Sequence, residues 1–246
     1  MRLFITGGSR GIGRAIVEAG LAAGHDGAFT YRAREDAAEQ VLVWARERHP
    51  DRRCLAFLLD VGDAEAVERV GETALDELGG VEAAICNAGV VQNQLAVQMA
   101  DADWDEVIRT NLTGSFYVAR HFLMPFLAAG RGRLVFLGSV AQHGLTGQVA
   151  YAASKAGLLG LARPLAKEYG HKGITSNVVV PGFFETDMTR EAMASTHQAF
   201  WLEHCPMHRM GKLDELAQVV LFLASDAASF VNGQAVSVTG GLDWAV

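Results

Sequence analysis

Short apolar runs recur along this chain at 3–5, 28–31, 55–59, 83–85, 134–137, 178–180 and 235–238, and longer amphipathic stretches separate most of them, at 14–23, 36–48, 64–78, 104–128 and 148–169. The short runs read as buried strands and the long ones as helices with one apolar face. A parallel connection has to cross over, and a helix covers the sheet face as it does so. The alternation therefore predicts an α/β fold: a seven-stranded parallel sheet with helices on both faces. Half of the 246 residues are hydrophobic and a fifth are charged, which suits one large core. No Pro, Gly or Ser block divides the chain, so residues 1–246 are expected to form a single domain. The stretch 183–210 breaks the rhythm with Phe183-Phe184, Phe200-Trp201 and clustered histidines. It reads as a lid over a ligand at the carboxyl ends of the strands.

Composition removes several function classes. A formal charge of -7 argues against general binding to nucleic acid or anionic lipid. Three cysteines without a CxxC pair suggest neither a disulfide framework nor a zinc ribbon, and fit a reducing compartment. The apolar run before the first glycines is too short for a signal peptide, and no stretch approaches the ~18 apolar residues of a membrane span. A cytoplasmic protein without membrane partners is the expectation.

The first strand runs into Thr6-Gly7-Gly8-Ser9-Arg10-Gly11-Ile12-Gly13, and a helical pattern follows. Strand, glycine turn and helix form the context in which backbone amides at a helix N-terminus receive a pyrophosphate. Arg14-Ala15 stand where a P-loop needs Lys-Ser/Thr, which excludes a kinase or GTPase reading. A cofactor with a free ribose 2′-hydroxyl usually meets an acid at the end of the second strand. Here that strand ends in Tyr31-Arg32. Arg32, helped by Arg10 and Arg34, suits a 2′-phosphate and points to NADP(H). Asp60 and Val61, after the third strand, are candidates for the adenine edge, although Asp60 equally suits a helix cap.

With these residues in order, the sequence resembles the classical short-chain dehydrogenase/reductase family and, within it, the 3-oxoacyl-acyl-carrier-protein reductases. The resemblance rests on the glycine turn, Cys86-Asn87-Ala88-Gly89, Asn111, Ser139, Tyr151-Ala-Ala-Ser-Lys155, Pro181-Gly182 and Thr186, and spans essentially the whole chain. It implies a Rossmann fold, a nicotinamide cofactor, no catalytic metal and a homotetramer with contacts through the fourth and fifth helices. It also implies that Asn87, Ala88 and Gly89 shape the cofactor site and that Pro181, Gly182 and Thr186 approach the nicotinamide. Asn111 is implied to hold a water linking Lys155 to solvent, and Lys155 to hydrogen-bond the nicotinamide ribose.

Tyr151 and Lys155 lie four apart on a predicted helix, hence on one face. Reducing a ketone needs hydride at carbon and a proton at oxygen, and a phenol poised near neutrality supplies the latter. The Lys155 ammonium is expected to lower the phenol from ~10 toward ~7. Ser139 is expected to hydrogen-bond the substrate oxygen. Its surroundings lack the glycine pair of a hydrolase elbow. These residues point to a carbonyl reductase, and the resemblance implies NADPH-dependent reduction of a 3-oxoacyl thioester, carried on an acyl carrier protein, in fatty acid or polyketide biosynthesis. The alternatives are a dehydrogenase of a small alcohol, sugar or polycyclic alcohol, and a cofactor-sensing scaffold.

Weaker signals remain. Cys86 stands where many relatives carry Asn. Pro164 predicts a kink after Gly160. His197, His204, Cys205 and His208 have ligand-capable types but lack a completing carboxylate or cysteine pair, so they read as lid or interface residues. Arg131, Arg133, Lys167, His171 and Lys172 suggest a basic patch, with Arg131 and Lys172 as candidates for docking an acidic carrier.

Overall fold

A computed structural model describes residues 1–186 and 201–242. Its seven strands, β1 (Arg2–Ile5), β2 (Asp26–Tyr31), β3 (Cys54–Leu58), β4 (Ala83–Cys86), β5 (Gly132–Leu137), β6 (Ile174–Pro181) and β7 (Ala235–Val238), form one sheet. The order is β3-β2-β1-β4-β5-β6-β7 and every pairing is parallel. The expected single α/β domain is thus what the chain forms. Because side chains alternate across a strand, each central strand feeds two cores. Phe4, Ala84, Leu134, Phe136 and Val178 face one; Leu3, Ile5, Ile85, Val135 and Val179 face the other. The first core is covered by α3 (Ala64–Leu78), α5 (Gly114–Ala129) and α6 (Val149–Tyr169). The second is covered by α1 (Gly11–Ala22), α2 (Glu35–Arg48) and α7 (Leu213–Ala224).

Several expectations need correction. Not all seven strands are buried: β3 and β7 close the sheet on either side, and Leu58 is 64% exposed. An edge strand has a neighbour on one side only, so its outer residues meet water. The single helix expected at 104–128 is α4 (Asp101–Ile108), a π-helical turn at Arg109–Thr113 and then α5. The helix α6 runs through Pro164 to Tyr169, a continuity compatible with the kink expected after Gly160. Of the stretch 183–210, residues 187–200, His197 among them, lie outside the described residues. At its two ends the Phe183 ring stacks on Trp201 at 4.5 Å, and the Gly211 amide donates to the Phe183 carbonyl at 2.9 Å. Cys205 directs its thiol toward the Thr239 and Gly240 carbonyls.

The suggested basic patch also changes. Arg133 is buried, donating to the carbonyls of Gly132, Gly173 and Ser225 and to Asp226. It is a tie inside the fold, and Arg131 pairs with Glu82. Arg131 and Lys172 sit where β5 and β6 begin, whereas Ser139 follows the end of β5, a strand of six residues or roughly 20 Å away.

Candidate active site

Strand order reverses between β1 and β4, and a cleft opens at the carboxyl ends of the strands there, as expected for an open α/β sheet. It has a volume of ≈ 290 Å³ and is lined by Gly7, Ser9, Arg10, Gly11, Ile12, Gly13, Arg32, Asp60, Val61, Asn87, Ala88, Gly89, Tyr151, Lys155, Pro181 and Thr186 among others. Sequence positions as far apart as 7 and 186 therefore converge on one wall. Gly11 has φ +54, which favours glycine, and a Cβ on Gly13 would collide with the Gly7 carbonyl and the Asn87 amide. The glycines let α1 begin against the end of β4. Asn87 fastens this approach: its Nδ2 donates to the carbonyls of Thr6 and Gly7 at 2.9 and 3.0 Å, while Thr6 Oγ1 accepts from the Asn87 and Ala88 amides at 3.0 Å.

Two observations test whether a nicotinamide dinucleotide suits this cleft. The N-terminus of α1 has no side-chain cap among the described residues, so its leading amides and helix dipole are presented to an anion. The Thr110 hydroxyl, in a residue only 4% exposed on the cleft wall, has no hydrogen-bond partner among the described residues. A buried polar atom without a partner is costly and marks a position a ligand can satisfy. The residues fit the group. At the outer rim Arg32 donates to Glu106 at 3.2 Å. Asp60 accepts from the Gly62 amide at 2.9 Å and from Arg109 at 3.0 Å. Burial pushes the Asp60 carboxyl up, but these two donors, with the Arg32 charge beside them, prevail and hold it below its ordinary value.

At the inner end, Ser139 begins a 3₁₀ turn, its hydroxyl accepting from the Ala141 amide at 3.1 Å and hydrogen-bonding the Tyr151 phenol. Lys155, 4% exposed, donates to the Leu137 carbonyl at 2.6 Å, and its ammonium lies 5.6 Å from the Tyr151 ring centre. Ser139, Tyr151 and Lys155 thus meet, through α6 packing against the end of β5. The expected acidic phenol is not what these residues produce. Burial raises Tyr151 above its ordinary value, and the Ser139 hydrogen bond opposes this only in part. Lys155 cannot reverse the balance: burial lowers the ammonium itself to about 8, and its short hydrogen bond goes to a carbonyl rather than to the phenol.

Asn111 does not line the cleft. It lies in the π turn, fully buried, with Oδ1 accepting from the Val90 amide at 2.8 Å and Nδ2 donating to the Val90 carbonyl and Ser154 Oγ, both at 3.0 Å. A side chain on Gly89 would come within 3.2 Å of Asn111 Oδ1 and 3.5 Å of the Lys155 ammonium. Gly182 is also off the wall; its amide donates to the Val238 carbonyl at 2.9 Å. Sequence reasoning missed Thr110 and Glu106, since neither belongs to a recognisable spacing.

Comparison with known proteins agrees with this geometry. The family described as Enoyl-(Acyl carrier protein) reductase matches residues 7–243. The chain is 38% identical to 3-oxoacyl-[acyl-carrier-protein] reductase FabG of Salmonella typhimurium, over 97% of this chain and 95% of that protein. It is 37% identical to 3-oxoacyl-[acyl-carrier-protein] reductase MabA of Mycobacterium bovis, over 98% and 92%. Among solved structures, levodione reductase superposes with a TM-score of 0.95 at 31% identity, covering 100% of this chain and 98% of that one. A putative short-chain alcohol dehydrogenase from Sinorhizobium meliloti gives 0.93 at 34%, covering 98% and 95%. The chain belongs to the short-chain dehydrogenase/reductase family and is an oxidoreductase using a nicotinamide cofactor.

Proposed function

We propose that this protein reduces a 3-oxoacyl thioester, carried on an acyl carrier protein, to the 3-hydroxyacyl thioester with NADPH. The observation that carries the reading is that Tyr151 and Lys155 line the inner end of the glycine-lined cleft, with Ser139, just off that lining, against the Tyr151 phenol. The substrate class is supported by the names of relatives similar over nearly the whole chain. Gly7 to Gly13, Arg32, Asp60, Val61, Asn87 to Gly89, Lys155 and the β6 end with Thr186 are the residues we assign to holding the cofactor. The bound nicotinamide supplies the hydride. Tyr151 gives its proton to the carbonyl oxygen, and its raised affinity for that proton keeps it protonated across the working pH range. Ser139 donates to the same oxygen and fixes it beside the phenol. Lys155 supplies the positive charge that favours the phenolate left behind. Arg10, Arg32 and Arg34 on the rim support a 2′-phosphate and hence NADPH. A homotetramer in a reducing, cytoplasmic setting completes the reading; the three cysteines are all free.

A second reading, reduction of a cyclic ketone, draws on the likeness to levodione reductase and the Phe183–Trp201 stack. Initial rates with a 3-oxoacyl carrier, its coenzyme A ester and free cyclic ketones, each with NADPH and NADH, separate the two. The thioesters should exceed the ketones in kcat/KM by about tenfold or more. Turnover of free ketones with none of any thioester would overturn the first reading.

A further inference from the structure

Three guanidinium groups line the outer rim of the cleft, and their surroundings differ. Arg34 grips Asp36 with two hydrogen bonds of 2.9 and 2.8 Å. Arg10 makes no ion pair among the described residues. Arg32 reaches from the end of β2 to α4 and donates to Glu106 Oε1 at 3.2 Å, bridging positions 74 apart in sequence. Asp60 accepts from the Gly62 amide and Arg109 and feels the Arg32 charge, but among the described residues the side-chain hydrogen bond of Arg32 goes to Glu106. The side chains of Arg32 and Glu106 are 47% and 35% exposed, so the pair is loose enough to exchange. A phosphate, with more charge and a matched fork of oxygens, competes for the same guanidinium.

We infer that Glu106 is a specificity-determining residue: its carboxylate holds Arg32 at the rim and competes with the 2′-phosphate, limiting the preference for NADPH over NADH. The inference rests on the NADPH reading above. Glu106 is not among the residues lining the cleft, so it acts through Arg32 and through like-charge repulsion of the phosphate.

The test measures dissociation constants of NADPH and NADH by calorimetry for the unaltered protein, Glu106→Gln, Arg32→Gln and the double variant. Gln preserves side-chain length and helix propensity at this position on α4. Glu106→Gln should tighten NADPH about 3-fold, consistent with an exposed pair, and leave NADH within about 1.5-fold. In the Arg32→Gln background that gain should shrink by at least half. An unchanged or reduced NADPH-to-NADH preference in Glu106→Gln overturns the inference, as does an equal gain without Arg32. If Arg32→Gln alone leaves the preference intact, the assignment of Arg32 to the phosphate fails, and this inference with it. If Arg32→Gln abolishes the preference while Glu106→Gln changes nothing, only the role of Glu106 is lost.

Discussion

Lys155 and Tyr151 respond to the same burial in opposite senses, and this sets the pH behaviour of the centre. Burial disfavours the charged form of each, lowering the ammonium to about 8 and raising the phenol. Below about 8 Lys155 is cationic and Tyr151 neutral, the pair of states the proposed reduction needs. As pH rises through about 8 Lys155 loses its proton, so kcat/KM for reduction should fall along a limb centred there. A profile flat to pH 10 would contradict this. Tyr151→Phe keeps the ring and removes the proton donor, so kcat should drop by about 100-fold or more while calorimetry shows NADPH still bound. Near-normal turnover would remove Tyr151 from the chemistry. The spacing of these two residues was legible in the sequence because four positions on a helix define a face. Their protonation was not, because it depends on burial against β5. Glu106 was illegible for a similar reason: its partner stands 74 positions earlier.

Between residue and fold stands the π turn, which the amphipathic pattern of 104–128 does not reveal. A π turn adds a residue to a helix without a compositional mark, and such turns recur at functional sites. Here it places neighbouring side chains differently: Thr110 on the cleft wall, and Asn111 buried against the loop at Val90 and against Ser154 of α6. Ser115 secures the turn by donating to the Asn111 carbonyl at 2.7 Å. Asn111→Ala would strip partners from the Val90 amide and carbonyl at once. It should cost about 2–3 kcal/mol in a denaturant titration, with an unchanged m value if only stability is affected. A loss below about 0.5 kcal/mol would show that the loop finds other partners readily. The resemblance marked Asn111 as important; that it staples three elements together required the structure.

For the whole molecule, the alternation of apolar runs sufficed to predict seven parallel strands and two covered faces, because period-two strands must fill both cores. It could not say which charged residues share an edge. Arg131 and Lys172 stand at the beginnings of β5 and β6, whereas the cleft lies at the carboxyl ends of the strands. The cleft draws its walls from the loops after β1, β3 and β4, the ends of β2, β5 and β6, and α6, so its complete form exists only when both halves of the sheet are assembled. A cofactor that binds only this assembled form must stabilise the fold. At 100 times Kd the gain is about 2.7 kcal/mol, which for a chain of this size raises Tm by roughly 5–10 °C at fixed protein concentration. At equal concentrations NADPH should raise Tm further than NADH, since a tenfold difference in affinity adds about 1.4 kcal/mol. Equal shifts would remove the NADPH preference, and no shift with either would remove the cleft as a nicotinamide site.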